Sequence, residues 1–324
     1  MQSLALSQIM LRALTDGMTQ PRLPRPSETP EWPTILLILG VTGLWCGATA
    51  LAGTAPWAPW LAWPLVVLCI ALHSSLQHEV LHGHPTPSAA LNEALVFPAI
   101  GLFIPYRRFR DSHLAHHVDE RLTDPYDDPE SNYLAPAAWA RLPSALRLLL
   151  TANNTLAGRI LLGPAISLAC FLHGDIRAAL AGDRGVLRAW ALHGAALVPV
   201  ALWLGAVGTI PWPAYLALAY LGLGILKIRT FLEHRAHLAA RGRSVIIEDR
   251  GPLAFVFLNN NLHAVHHGHP ALAWYKLPEL YESRRARYLQ MNDGYVYRSY
   301  MDIFRRHLFR RKDPVAHPLH PLEE

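Results

Sequence analysis

The chain has 324 residues, 52% of them hydrophobic and only 16% charged, with a formal net charge of +5. Soluble domains carry about a quarter charged residues, and here the shortfall is concentrated: no Lys or Arg occurs from Ile35 to Tyr106 or from Ala189 to Leu226. These two blocks exclude an ordinary soluble enzyme and point to a polytopic membrane protein. The modest positive charge is therefore read as membrane-facing, and no nucleic-acid partner is expected.

Residues 1–33 read as a polar, Pro-rich cytosolic arm without the charged start, apolar core and cleavage site of a secretory signal. A short amphipathic helix is predicted near 4–14. The first span covers about 34–51 and the second about 60–77, continuing into 78–82, with a short uncharged link between them. The apolar stretch 91–104 is too short to cross about 30 Å of hydrocarbon, so an interfacial or re-entrant segment is expected. Residues 106–150 are polar. The stretch 156–172 contains Arg159 and Pro164, which favours an interfacial helix over a span. The third span is placed at about 190–207 and the fourth at 214–228, again joined by an uncharged link.

All 29 Lys and Arg fall in 1–34, 107–188 and 227–324. The positive-inside rule then places both termini and the middle segment in the cytosol. The predicted fold is an all-α, multi-pass protein of the cytoplasmic membrane. It has about four transmembrane helices in two hairpins, interfacial helices and a cytosolic His-rich cap. Residues 34–280 form the membrane domain, and 281–324 are read as a basic cytosolic tail whose Arg305, Arg306, Arg310, Arg311 and Lys312 form a solvated face that suits anionic lipid. Cys46, Cys69 and Cys170 lie in apolar segments without a CxxC pair, which suggests neither a disulfide framework nor a thiolate cluster.

The 18 histidines carry the chemistry. His78 and His82 form HxxxH; His113, His116 and His117 form HxxHH; His263, His266 and His267 form a second HxxHH. Positions i, i+3 and i+4 share one helix face, so each set presents its imidazoles in one direction. One HxxHH is expected about 0.06 times by chance at this His content, and two copies are correspondingly rarer. Eight imidazoles exceed the four ligands of one zinc and suit two metal ions. His234, beyond the fourth span, is a candidate ninth ligand; His237 is a weaker one. All-nitrogen ligation with open positions suits iron that binds oxygen. Glu79, Asp111, Asp119, Asp124, Asp127 and Asp128 are candidate acceptors for the second ring nitrogens, and one of Asn259, Asn260 and Asn261 is a candidate partner for a ligand or a helix cap. His84 and His269, which adjoin the clusters, are further candidates for that outer layer.

His78-Glu79-Val80-Leu81-His82 also matches HExxH, in which the Glu of a zinc protease is the general base. A metalloprotease reading leaves both HxxHH sets unexplained. A His-rich metal-binding or transport protein would place its ligands along a route through the bilayer, whereas these clusters all fall on one side.

HEVLH at 78–82, HLAHH at 113–117 and HAVHH at 263–267, in this order between spans, resemble the boxes of the membrane fatty acid desaturase superfamily. That superfamily includes acyl-lipid desaturases and the carotenoid and alkane hydroxylases and ketolases. The stretches 124–131 and 259–270 are similar to bacterial members. The resemblance implies a di-iron site that activates O2, with His78, His82, His113, His116, His117, His263, His266 and His267 at box positions and His234 at an extra ligand position. Thr230 stands where some acyl-CoA members have an Asn. The implied activity is desaturation of a membrane acyl substrate, with hydroxylation, ketolation or desaturation of a small non-lipid metabolite as alternatives. No cytochrome b5-like, flavin or ferredoxin segment is fused, so a separate electron donor such as a ferredoxin is expected, and Arg107, Arg108 and Arg110 are candidates to dock it or, equally, to bind lipid headgroups.

Overall fold

The structure, a computed structural model, describes residues 24–320; the helix expected near 4–14 lies outside them. In chain order its helices are α1 (Trp32–Leu51), α2 (Ala58–Leu81), α3 (Ala89–Leu95), α4 (Tyr106–His116), α5 (Pro136–Arg141), α6 (Ser144–Asn153), α7 (Leu156–Leu161), α8 (Gly163–Leu180), α9 (Arg184–Ala206) and α10 (Trp212–Thr230). There follow α11 (Pro252–Val256), α12 (His263–Gly268), α13 (Leu277–Ser283), α14 (Arg285–Met291) and α15 (Tyr300–His307). Two short strands, β1 (Ile246–Ile247) and β2 (Val296–Tyr297), pair in parallel.

Helices α1, α2 and α9 are long and apolar enough to cross a bilayer. The fourth expected span is also a continuous helix, α10, but Lys227 and Arg229 in its last turn make it less apolar than the other three. Along α1, Thr34, Ile38, Val41, Trp45 and Ala48 recur every three to four residues and are buried. Its other face is just as apolar and points outward, with Leu36 62% exposed. A helix that is apolar all round is stable where its outer face meets lipid instead of water.

Between lipid-facing helices the hydrophobic drive is weak, so close backbone approach and polar contacts matter more. Gly222 of α10 supplies the first: a Cβ there would stand 2.6 Å from Ile70 Cγ2 of α2. For the second, Trp45 Nε1–H donates to the Tyr215 hydroxyl (2.9 Å), which donates to the Ile100 carbonyl (2.7 Å).

Ile100 belongs to the stretch expected to be interfacial or re-entrant. After α3 the chain leaves helical geometry and dips into the bundle. There Ala99 N–H donates to the Ala196 carbonyl (3.1 Å), and the His193 ring donates from Nε2 to the Leu102 carbonyl (2.7 Å). Irregular backbone persists at such depth only where protein groups satisfy it. The stretch 156–172 becomes α7 and α8; α8 runs on to Leu180 and carries the buried Asp175, which accepts from Arg108 and Trp190.

The links α1–α2 and α9–α10 meet at one end of the bundle. Thr209 N–H donates to the Thr49 carbonyl (2.9 Å), Gly53 N–H to Thr209 Oγ1 (2.7 Å), and Trp203 Nε1–H to Thr49 Oγ1 (2.9 Å). Polar segments gather at the opposite end. The arm closes against the turn after α2, through Ser27 N–H to the Gly83 carbonyl and Glu31 to the His84 ring (2.8 Å). Gly83 has φ +100°, and a Cβ there would stand 2.5 Å from the Arg25 carbonyl oxygen. Over its described part, the basic stretch 281–324 is bound back along its length. Tyr288, Tyr300 and Ile303 are buried, Leu134 pairs with Ala316, and Lys312 N–H donates to the Asn154 carbonyl (3.1 Å).

Candidate metal centre

Each histidine set sits where a helix ends at the polar end of the bundle. His78 is in the last turn of α2 and His82 caps it. His113 and His116 lie in the last turn of α4 and His117 caps it. His263, His266 and His267 occupy α12, and His234 lies just beyond α10. The nine rings fall into two groups. His78, His82, His113, His117 and His266 form one; His116, His234, His263 and His267 form the other. Within each group the potential ligand atoms lie within 4.8 Å of one another. The groups meet where His117 stacks on His267, with centroids 4.2 Å apart and planes 13° from parallel.

The Nε2 atoms converge. His116 and His263 place theirs 2.8 and 3.0 Å from that of His234, and His113 and His266 place theirs 2.9 and 3.2 Å from that of His117. Two nitrogens each about 2.1 Å from a metal and a right angle apart stand about 3.0 Å from each other. The observed spacing therefore matches ligand pairs around a shared ion. In the first group, Nε2 of His78 and Nε2 of His82 are buried without a hydrogen-bond partner, a costly state for neutral imidazole that a bound cation removes. The donor set fits two metal ions of the imidazole-binding type.

The other ring nitrogens are held from outside. The Nδ1–H of His116 donates to Asp128 (2.7 Å), that of His113 to Glu130 (3.2 Å) and that of His263 to Asn260 Oδ1 (3.0 Å); Ser244 Oγ lies 3.2 Å from His234 Nδ1. An acceptor at Nδ1 fixes the proton there and leaves the Nε2 lone pair for a metal. Asp128 is itself oriented by the N–H groups of Thr123 and Glu130. Glu233, paired with Arg229 (3.0 Å), approaches His263 Nδ1 at 3.8 Å. Burial first, and the charge of neighbouring rings second, hold the pKa values of His82, His113, His234, His263, His266 and His267 well below the usual histidine value. These rings are thus neutral, as ligands must be. His116 runs the other way. Burial opposes its charge, but Glu130, Asp128 and Glu233 outweigh it and push it up to about 9 in the metal-free protein, so its Nε2 proton would be released on binding a metal.

Of the acids singled out from sequence, Asp128 touches a clustered ring. Asp111 pairs with Arg110 (2.8 Å), Asp124 accepts from the N–H groups of Tyr126 and Asp127, and Asp127 is exposed; the Asp119 side chain lies outside the description. Glu79, the would-be protease base, accepts from the Trp274 N–H (3.1 Å). His84 turns to Glu31, and His237 faces Asp293 (3.4 Å). Asn260, one of the three asparagines before the last set, does hold a ring. Sequence reasoning missed Glu130, Glu233 and Ser244. Glu130 lies in the acidic stretch 124–131 and Glu233 adjoins His234, so proximity in sequence was a usable signal for both. Lys312 was also missed: its Nζ donates to the His234 carbonyl.

Long apolar helices with two imidazole clusters at one end mark a membrane protein with a candidate metal centre. The family model "Fatty acid desaturase" matches residues 55–299, and the chain belongs to that family. It is also 26% identical over 223 residues to the beta-carotene ketolase of Paracoccus sp. (strain N81106 / MBIC 01143), a match covering 67% of this chain and 75% of that protein.

Proposed function

We propose that the protein is an O2-dependent membrane oxidoreductase that holds two iron ions through its nine clustered histidines and introduces a C=C bond into an acyl chain. The observation that carries this reading is the sorting of the nine rings into groups of five and four with convergent Nε2 atoms. Bound iron would supply the oxidant that an unactivated C–H bond demands. Over the reaction an acyl CH2–CH2 pair loses two hydrogens. O2 takes these together with two protons and two electrons from a separate carrier protein and leaves as two waters.

The chain's own residues do the positioning. Asp128, Glu130, Asn260 and Ser244 hold the rings in one tautomer and orientation. The apolar helices admit a lipid substrate from the bilayer side and keep water from the reacting carbon. In this reading α10 is the fourth span and the metal end faces the cytosol, which the distribution of basic residues supports.

Anaerobic purification with metal analysis tests the centre: about two Fe per chain is expected, and a single Zn overturns the reading. Profiling the acyl lipids of an expression host tests the reaction, because new alkenes support desaturation. Ketolation is a second reading favoured by the similarity to the Paracoccus ketolase. It predicts a carbonyl product in a host that makes β-carotene and unchanged acyl chains.

A further inference from the structure

A cavity of ≈ 360 Å³ opens beside the second histidine group. Its inner wall includes His267, Ser244 and Asn292, and Arg241, Arg284 and Arg287 line it. All three arginines are exposed, and among the described residues none forms an ion pair with a carboxylate. Their neighbours do: Arg285 pairs with Glu248 (2.6 Å), Arg250 with Glu282 (2.7 Å) and Arg235 with Asp293 (3.9 Å). Arg107, Arg108 and Arg110, the docking residues expected from sequence, are likewise engaged by Glu93, Asp175 and Asp111. Positive charge without a carboxylate partner therefore stands at the cavity mouth.

The place matters as much as the charge. His267 belongs to the second group and also forms cavity wall, so one imidazole separates that group from the cavity. The same ring stacks on His117 of the first group. Electrons delivered here reach either group through a single ring or a stacked pair. The arginines stand exposed at the mouth while the buried Ser244 and Asn292 behind them are neutral, an arrangement that presents charge to a surface more than to a small ion within.

We infer that this mouth is the docking surface of an acidic, one-electron carrier protein, and that His267 is the ring nearest the point of electron entry. The inference rests on the proposed O2-dependent reaction, which consumes two electrons per O2. Two carrier molecules, each oxidised by one electron, supply them. Complementary charge speeds such encounters and makes them salt-sensitive.

The test uses the full chain in detergent and an acidic [2Fe–2S] ferredoxin as probe. Affinity for metal-free and iron-loaded protein is measured at rising NaCl, and the rate of iron reduction by reduced ferredoxin is followed by stopped flow. R241E/R284E/R287E is expected to weaken binding at least about tenfold and to flatten its salt dependence. Iron content should stay unchanged and the reduction rate should fall in parallel. The corresponding Gln variants, singly and together, should lose affinity in proportion to the charges removed. Unchanged ferredoxin binding in the charge-reversed protein overturns the inference, as does tight inorganic phosphate binding that the variant loses while ferredoxin binding persists. If the protein holds no iron pair the proposed reaction fails, yet the metal-free binding measurement still reads this surface.

Discussion

The two histidine groups are built by different means. The first takes His78 and His82 from the end of a membrane helix, and their positions follow from how α2 packs on α1 and α10. Glu130 at His113 is an acidic anchor on this side. In the second, three of four rings have an identified polar partner at Nδ1, in Asp128, Ser244 and Asn260. Its His234 is not on a helix at all. Helix packing can aim a ligand where a helix happens to end. Finer aim comes from side-chain hydrogen bonds, at the end of α4 for His113 and His116 as much as beyond α10 for His234.

The widest separation of the two groups comes from removing one ring of each. H82A is expected to empty the first group and H263A the second, each lowering iron from about two per chain to about one and abolishing turnover. Metal analysis and product assay check both. Loss of all iron from either variant would mean that the stacked groups bind as a unit.

Next come the supports. D128N should weaken iron at the second group about 10- to 100-fold, the usual effect of removing a carboxylate behind a metal-bound histidine. Competition with a chelator reads this, and the first group should hold its iron. K312M removes the donor to the His234 carbonyl and should cost about 1–3 kcal/mol, seen as a lower melting temperature together with selective loss from the second group.

Acid titration of the metal-free protein sharpens the contrast further. Rings with depressed folded pKa values bind fewer protons folded than unfolded. Stability should therefore fall as pH drops below about 6.5, by up to about 1.4 kcal/mol per pH unit for each such ring. His116 has the opposite sign: its contribution is complete below the unfolded value and is lost as pH rises through about 9. D128N should shrink that alkaline loss, measured by urea unfolding across pH. G83A should cost more than the about 1–2 kcal/mol of a side chain at positive φ, because its Cβ would also displace the Arg25 carbonyl; it loosens the turn behind His82 and should touch only the first group.

Much of this was legible in the residues. Long stretches without Lys or Arg marked the hairpins, because hydrocarbon tolerates no free charge. The i, i+3, i+4 spacing marked the rings, because helical geometry alone makes them face one way. The second group's supports were harder to read. Ser244 and Lys312 come from segments with no periodic signal, and only the tertiary fold brings them to His234. The engagement of Arg108 was hidden for the same reason, since Asp175 lies on a helix far along the chain from it. The depth reached by Ile100 depends on a tyrosine hydroxyl on α10 that composition cannot place.

The threonine knot at the far end of the bundle gives the molecule a fulcrum. Helix α9 is 23 residues long, a rod of about 34 Å, so a tilt of a few degrees at Thr49 or Thr209 sweeps its distant tip through an ångström or more. Helix α9 packs against α4, which carries His113 and His116, so residues that touch no imidazole bear on where those rings stand.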